Sequence, residues 1–300
     1  MIDTRRLRTL RAVADHGTVT AAAAALHLTP SAVSQQLGAL EHEVGQRLFT
    51  RDGRGVRLTA VGKIMLKHAN EVLAQLERAE AEVAAYSTGA AGEVVVASFA
   101  TAIGVVLAPA IAALRVRLPE LTIRVLDAEG DHSLTMLLDH TADLAIAVEY
   151  RGAPDAADQR LFRLALYAEP FDLVLPRDHP LATAPPLALD ALAGETWIGP
   201  YPGNPVHDVI AFACEQQGFT PSFAHSSDDF RAVVALVGAG AGVALVPRLA
   251  MRDLDRSGVA VRQAPGPERR VFAALRRGTE EHPLLRPVVD ELRRTAHALG

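Results

Sequence analysis

Two groups of polar side chains near the start of this 300-residue chain could do chemistry on a polyanion. Ser31, Ser34 and Gln35 fall at i, i+3 and i+4, so a helix would carry them on one face, close to the N-terminal end that Thr29 and Pro30 open. Small hydroxyls and an amide there can reach base edges in a major groove, and the helix start favours a phosphate. A solvated face on a core helix would look the same, so no single one of these residues decides the matter. Arg51, Arg54 and Arg57 surround Asp52-Gly53, a strong hairpin turn signal. A basic ribbon beside such a helix suits contact with phosphates or a minor groove. Helix, turn, helix and basic ribbon in that order are far more specific than any one part.

A second set of residues suits a small molecule. Ser98, Phe99 and Thr101 follow the apolar run Val94 to Ala97 and open a helix, so hydroxyls and free amides there could hold a carboxylate. Tyr201 and Asn204, in Tyr201-Pro202-Gly203-Asn204-Pro205, occupy the same place later in the chain. Glu149 either faces a cleft, favouring a cationic or hydroxyl-bearing group, or is a surface carboxylate. Phe99, Tyr201 and Phe230 either wall such a site or fill core. Ser227-Asp228 reads as a helix cap, His207 as a structural hydrogen-bonding residue and Cys214 as a buried small one. A lone cysteine excludes an intrachain disulfide, and with it redox sensing through one.

Nothing points to catalysis, a metal or a cofactor. The eleven histidines are scattered without metal-ligand spacing. Gly238-Ala239-Gly240-Ala241-Gly242 precedes an apolar run instead of following one, the reverse of a dinucleotide loop.

The elements that must position these residues follow from periodicity and punctuation. Asp3 to Asp15 reads as a helix stopped by Gly17, Thr18 caps an alanine-rich second helix, and Gly45 ends a third, whose buried stripe is Val33, Leu37, Leu40 and Val44. Residues 59–88 read as one long helix. In it Met65, Val72, Ala79 and Tyr86 recur every seven residues, with Ala69, Leu76 and Val83 as the alternate position. That is a coiled-coil seam and predicts a homodimer, against the plainer alternative of a helix packed on its own domain. A small-residue hinge, Tyr86 to Gly92, follows.

From Glu93 onward apolar strands alternate with helical stretches. Strands are expected at 162–167, 171–175, 259–263 and 271–275 among others, and Pro109 should bend the helix that ends near Arg117. The expected units are a DNA-binding domain at 1–58, a linker helix at 59–88, a hinge at 89–92 and an effector domain at 93–300. The last divides into lobe one (93–161 and 268–300) and lobe two (162–267).

Charge separates the same units. Residues 1–68 hold ten basic and five acidic side chains, +5, so the remainder carries −5 − 5 = −10. A basic head on an acidic body fits a polyanion partner for the head alone. No run of apolar residues reaches bilayer length, and Met1 to Arg11 is charged, so a cytoplasmic protein without a membrane partner is expected.

These residues resemble the LysR-type transcriptional regulators along the whole chain. The similarity is strongest through Ala22-Ala23 and Leu26-His27-Leu28-Thr29-Pro30-Ser31-Ala32-Val33-Ser34-Gln35-Gln36-Leu37. It continues in Leu40-Glu41, Gly45, Leu48-Phe49, Arg51, Arg54 and Val56 to Gly62. Weaker agreement follows at Arg117 to Leu121, Asp143 to Ile146 and Gly240 to Pro247. The resemblance implies an α+β protein: a winged helix-turn-helix head, a dimerising linker helix and a two-lobed α/β, periplasmic-binding-protein-like effector domain. It implies base reading from Pro30, Ser31, Ser34 and Gln35, and a wing contact from Arg54. Many members carry arginine where this chain has Gln35, which leaves base preference open, since glutamine suits adenine and arginine suits guanine. Implied partners are double-stranded DNA with dyad symmetry, a small-molecule effector and further copies, a homodimer assembling to a homotetramer, with RNA polymerase as a further candidate. The expected function is ligand-responsive transcription regulation. The alternatives are a two-lobed enzyme, which would turn its small molecule over, and a solute-binding protein, against which the basic head argues.

Overall fold

The computed structural model describes residues 2–53, 55–85, 91–153, 158–183 and 188–299. Local signals set the first elements. Helix α1 (Thr4–His16) starts where the Asp3 carboxylate accepts the Arg5 amide and stops at Gly17, whose φ of +68° only glycine adopts cheaply. Helix α2 (Val19–Ala25) is capped by Thr18, and α3 (Pro30–Val44) by Thr29 with Pro30 in the first turn. Strands β1 (Phe49–Asp52) and β2 (Gly55–Leu58) pair antiparallel around the Asp52-Gly53 turn. Leu10, Val13, Ala22, Val33, Leu40 and Leu48 are buried together as the head's core.

Helix α4 (Ala60–Ala85) leaves the head. Its start is held by Thr59, whose hydroxyl accepts the Gly62 amide and donates to the Arg47 carbonyl. Gly62 lies so close to the hairpin that a Cβ there would stand 2.1 Å from the Leu48 carbonyl oxygen. Of the expected hinge, residues 86–90, Tyr86 included, lie outside the described residues, and Gly92 is the first residue of a strand.

The body is built on a mixed six-stranded sheet whose order is β4 (Leu121–Asp127), β3 (Gly92–Ser98), β5 (Leu144–Val148), β10 (Val259–Arg276), β6 (Leu161–Pro176) and β9 (Ala244–Pro247). Strands β3, β4 and β5 run parallel, with α7 (Asp131–Leu138) between β4 and β5. Strand β9 closes the far edge, antiparallel to β6. A parallel pair, β7 (Thr196–Gly199) and β8 (Ser222–Ser226), joins that half through a bridge between Trp197 and Val243. Helices α8 (Pro205–Gln216) and α9 (Phe230–Gly238) flank it, and α10 (Leu285–His297) ends the chain.

Two expectations on strands are corrected. The four short strands are two long ones, β6 (Leu161–Pro176) and β10 (Val259–Arg276), antiparallel along their length. Pro170 does not break β6, because the register shift in β10 between Gln263 and Glu268 absorbs the proline that cannot donate to the ladder. These strands run through both halves of the sheet, so the lobe boundaries expected at 161/162 and 267/268 fall inside or at the ends of continuous strands.

The bend expected from Pro109 is a wide turn. Short helix α5 (Ala100–Ala102) passes into a π turn, Ile103–Leu107, before α6 (Ala108–Arg117). The extra residue in the turn relieves the clash of the proline ring with the preceding backbone. By length and composition alone the stretch Ala100–Arg117 is long and apolar enough to cross a bilayer, contrary to the expectation of no such run. Its Ala102, Val106, Leu107, Ala110 and Leu114 are instead buried against the sheet, among Val94, Val96, Leu144 and Ile146.

Candidate nucleic-acid interface and effector cleft

The period of α3 sorts its side chains. Val33, Leu37 and Leu40 enter the head's core, while Thr29, Pro30, Ser31, Ser34 and Gln35 are exposed. The two adjacent glutamines take opposite roles. Gln36 turns inward and accepts a hydrogen bond from the Thr9 hydroxyl at 2.5 Å, whereas Gln35 points to solvent. Thr29 is committed to its cap, accepting the Ala32 amide at 3.2 Å. Gly38 sits on the same exposed face, and a Cβ there would meet nothing within 4 Å. Sequence reasoning passed over it, although an exposed glycine inside a helix that gains nothing by packing is a visible signal.

The hairpin is braced against both neighbouring helices. The Val56 amide donates to the Gly17 carbonyl at 2.9 Å, and the Glu41 carboxylate accepts the Leu48 amide at 2.8 Å. Arg51 and Arg57 are exposed, but Arg51 pairs with Val56 and Arg57 with Thr50, so alternation puts the two arginines on opposite faces of the ribbon. Arg54 lies outside the described residues.

The seam residues of α4 divide. Ala69 is buried in the head's own core, with Met65 and Leu76 packed beside it. Val72, Ala79 and Val83 are exposed. Helix packing on the chain's own domain, the alternative weighed above, therefore accounts for half of the periodicity.

In the body, β3, β4 and β5 end at one edge of the sheet, facing the loop that opens α8. Ser98 is fully buried, and among the described residues its hydroxyl reaches only the Phe99 carbonyl, at 3.4 Å. Phe99 is 3% exposed and belongs to the core, its ring 5.0 Å from the Arg269 guanidinium. Thr101 is half-buried and Tyr201 is exposed. Asn204 is buried: it caps α8 by accepting the Val206 amide, and donates to Asp228 at 3.0 Å and Glu129 at 3.4 Å.

That Asn204 bond crosses between the halves of the body. Beside it a Cβ on Gly130 would lie 2.9 Å from the Pro205 ring, so the halves touch here. Burial, then the charges of Asp228 and Asp127, push the Glu129 carboxyl up to about 7. The sequence led to the expectation that Asp228 caps a helix, and the structure corrects it. Asp228 accepts the Tyr201 amide at 3.1 Å, and Asp229 caps α9. Glu129 was missed altogether, though a polar loop at the carboxyl end of a parallel strand is where α/β sheets place ligands. Nearby, Glu169 and Arg269 form a buried ion pair at 2.6 Å on the long strands.

Glu149 is half-exposed and pairs with Arg163 at 2.8 Å. It stands on the lip of a cavity of about 600 Å³ lined also by Tyr150, Arg151, Asp208, Phe212 and Glu268. Cys214 is fully buried, and burial pushes its thiol up to about 12. Among the described residues no cluster of histidine, cysteine and carboxylate side chains could hold a metal ion.

Head and linker are docked on the body. Asp15 of α1 pairs with Arg160, and His16 bonds Asp139 at 3.0 Å. Glu77 of α4 pairs with Arg276 at 3.4 Å, and a Cβ on Gly278 would stand 2.2 Å from the Ala74 carbonyl oxygen.

Comparison with known proteins bears on both parts. The sequence model described as "Bacterial regulatory helix-turn-helix protein, lysR family" matches residues 4–63, and that described as "LysR substrate binding domain" matches residues 87–297. The chain is 30% identical over 288 residues to the HTH-type transcriptional regulator MetR of Salmonella typhimurium, covering 93% of this chain and 86% of that protein. Its structure is similar to that of a cysteine-to-serine variant of Corynebacterium glutamicum OxyR with hydrogen peroxide bound (TM-score 0.62, 26% identity, 99% of this chain and 94% of that one). It is also similar to full-length CbnR complexed with its target DNA (TM-score 0.55, 26% identity, 98% and 100%). With a helix-turn-helix head and a substrate-binding body matched in the order the structure shows, the chain belongs to the LysR family and is a DNA-binding transcription regulator with an effector-binding domain.

Proposed function

We propose that the head reads DNA through the exposed face of α3, with Ser31, Ser34 and Gln35 at base edges, Thr29 and Pro30 at the backbone, and Arg51, Arg54 and Arg57 on phosphates or the minor groove. The observation that carries this is the two-sided α3: one face is locked into the head's core, and the other shows short polar side chains to solvent. The CbnR relative, solved with its target DNA, supports the same use of the fold.

Two heads would bind a dyad-symmetric site, paired through the stripe of α4 that holds Val72, Ala79 and Val83. Met65, Ala69 and Leu76 hold that helix on its own head, so they serve dimerisation by positioning the stripe. Dimers assemble to tetramers, and RNA polymerase is the partner at the promoter. The working units are 1–58, 59–88, 89–92 and 93–300, and the protein acts in the cytoplasm, at the nucleoid.

The body binds its effector without turning it over. Asn204, Glu129 and Asp228 join the halves at the cleft, and Tyr201, Thr101 and Glu149 stand around it. Ser98 and Phe99 support it from within the core. Effector binding brings the halves together and shifts the paired heads. The buried, protonated Cys214 argues for binding as the signal rather than oxidation of a thiolate.

A footprint of the full-length protein on the gene's own upstream DNA tests this reading. The account expects a protected site with dyad-related halves, whose affinity falls steeply with added salt as counterions are released. Equal affinity for that DNA and for scrambled DNA would remove sequence-specific regulation from the account.

A further inference from the structure

The cavity behind Glu149 has the make-up of a ligand site in its own right. Its walls come from both halves of the body: Glu149 to Arg151 after β5, and Asp208 to Gln217 on and just past α8, with Gly266 to Glu268 of β10 between them. At about 600 Å³ it lies in the range of small-molecule pockets. Val209, Phe212 and Ala213 recur at i, i+3 and i+4, so α8 lays an apolar strip along the floor. Phe212 is 39% exposed, a large apolar ring uncovered on a partly open wall.

Charge sets the class of ligand. Glu149, Asp208 and Glu268 line the cavity, and Asp131 and Glu215 flank it. Against these five carboxylates stand three guanidiniums: Arg151 bound to Glu215, Arg163 to Glu149 and Arg270 to Glu268. Asp208 makes no ion pair among the described residues. The Tyr150 phenol, which donates to Asp131, is pushed up by burial and by the charges of Asp131 and Asp208. The chain itself displays the preference, since the Arg151 guanidinium reaches across from the other half and lies 4.3 Å over the Phe212 ring.

We propose that this cavity takes an organic cation with a flat apolar body, its ammonium or guanidinium group at Asp208 and its body on the strip Val209, Phe212 and Ala213. The proposal rests on the effector-binding reading and names the chemistry of the effector. A cation bound there draws on carboxylates from both halves and favours their closure. Arg151 competes for the same ring.

Calorimetry on the full-length protein with three probes of one shape tests it: tryptamine (cation), tryptophol (neutral) and indolepropionate (anion). Tryptamine should bind about tenfold more tightly than tryptophol, and indolepropionate should not compete. Asp208→Asn should weaken tryptamine about fivefold and leave tryptophol unchanged. Arg151→Ala should tighten tryptamine, a gain that a damaged fold cannot produce. Binding of indolepropionate as tight as that of tryptamine overturns the proposal. So does a tryptamine preference untouched by Asp208→Asn, or no binding of tryptamine at millimolar concentration. A footprint without probe on the same samples separates the two claims: if it persists while tryptamine fails, only the ligand class falls.

Discussion

Gln35 and Gln36 are neighbours of one type, and the helical period puts one on the exposed face and turns the other to the Thr9 hydroxyl. That much was legible in the sequence. Gly38 was legible too, as a glycine inside a helix, but was overlooked; only the empty space around it needed the structure. Gly38→Ala should raise the stability of the head by about 0.5–1 kcal/mol, by thermal melting, because an exposed helix interior prefers alanine. It should also weaken specific DNA binding, since the new methyl group stands on the reading face; a stabilised variant with unchanged DNA affinity would remove Gly38 from that face. Ser98 and Phe99 were expected at the cleft surface and are buried beneath it, because the strand-to-helix turn rotates them inward. Glu129, with its carboxyl pushed up to about 7 from an ordinary 4.5, makes the cleft pH-sensitive. Between those values the folded state binds more protons than the unfolded one, so this residue's contribution falls as pH rises through the window. Glu129→Gln should therefore stabilise the protein by about 1–3 kcal/mol at pH 8 and give no gain near pH 4, by denaturant unfolding.

Among the elements, the helices of the head were read to within a residue or two, because caps and glycine stops are local in sequence. Helix α4 shows where periodicity runs out. Its seven-residue repeat is real, but a repeat does not say which partner it meets, and Ala69 meets the head while Val83 meets solvent, 71% exposed. The two classes should separate on substitution. Val72→Glu with Val83→Glu should shift the assembly towards monomer in sedimentation at unchanged head stability. Ala69→Glu should unfold the head, costing about 3 kcal/mol or more for an unpaired charge in its core. If the double variant sediments as the wild type, the stripe is not the dimer face. The long strands β6 and β10 were read as four short ones, since Pro170 looks like a break until the bulge opposite it is seen.

At the scale of the molecule, the two-part plan was legible from charge and from the change of period. The docking of the head on the body was not. Asp15 with Arg160, and Glu77 with Arg276, lie far apart in the chain and carry no local signal. These contacts tie the head and the linker to the first half of the body, and in the proposed mechanism they carry the effector's movement to the head. Asp15→Asn should leave both parts folded but speed amide exchange at the end of α1, and should reduce the change in DNA affinity that effector produces. The central claim is that one face of α3 confers sequence specificity on the whole assembly. It is tested most directly by the ratio of affinities for the footprinted site and a scrambled one, measured at one salt concentration for wild type and for Ser34→Ala with Gln35→Ala. The account predicts that the double variant loses about 2–4 kcal/mol on the specific site and almost nothing on scrambled DNA. An unchanged ratio, or equal losses on both DNAs, would contradict it.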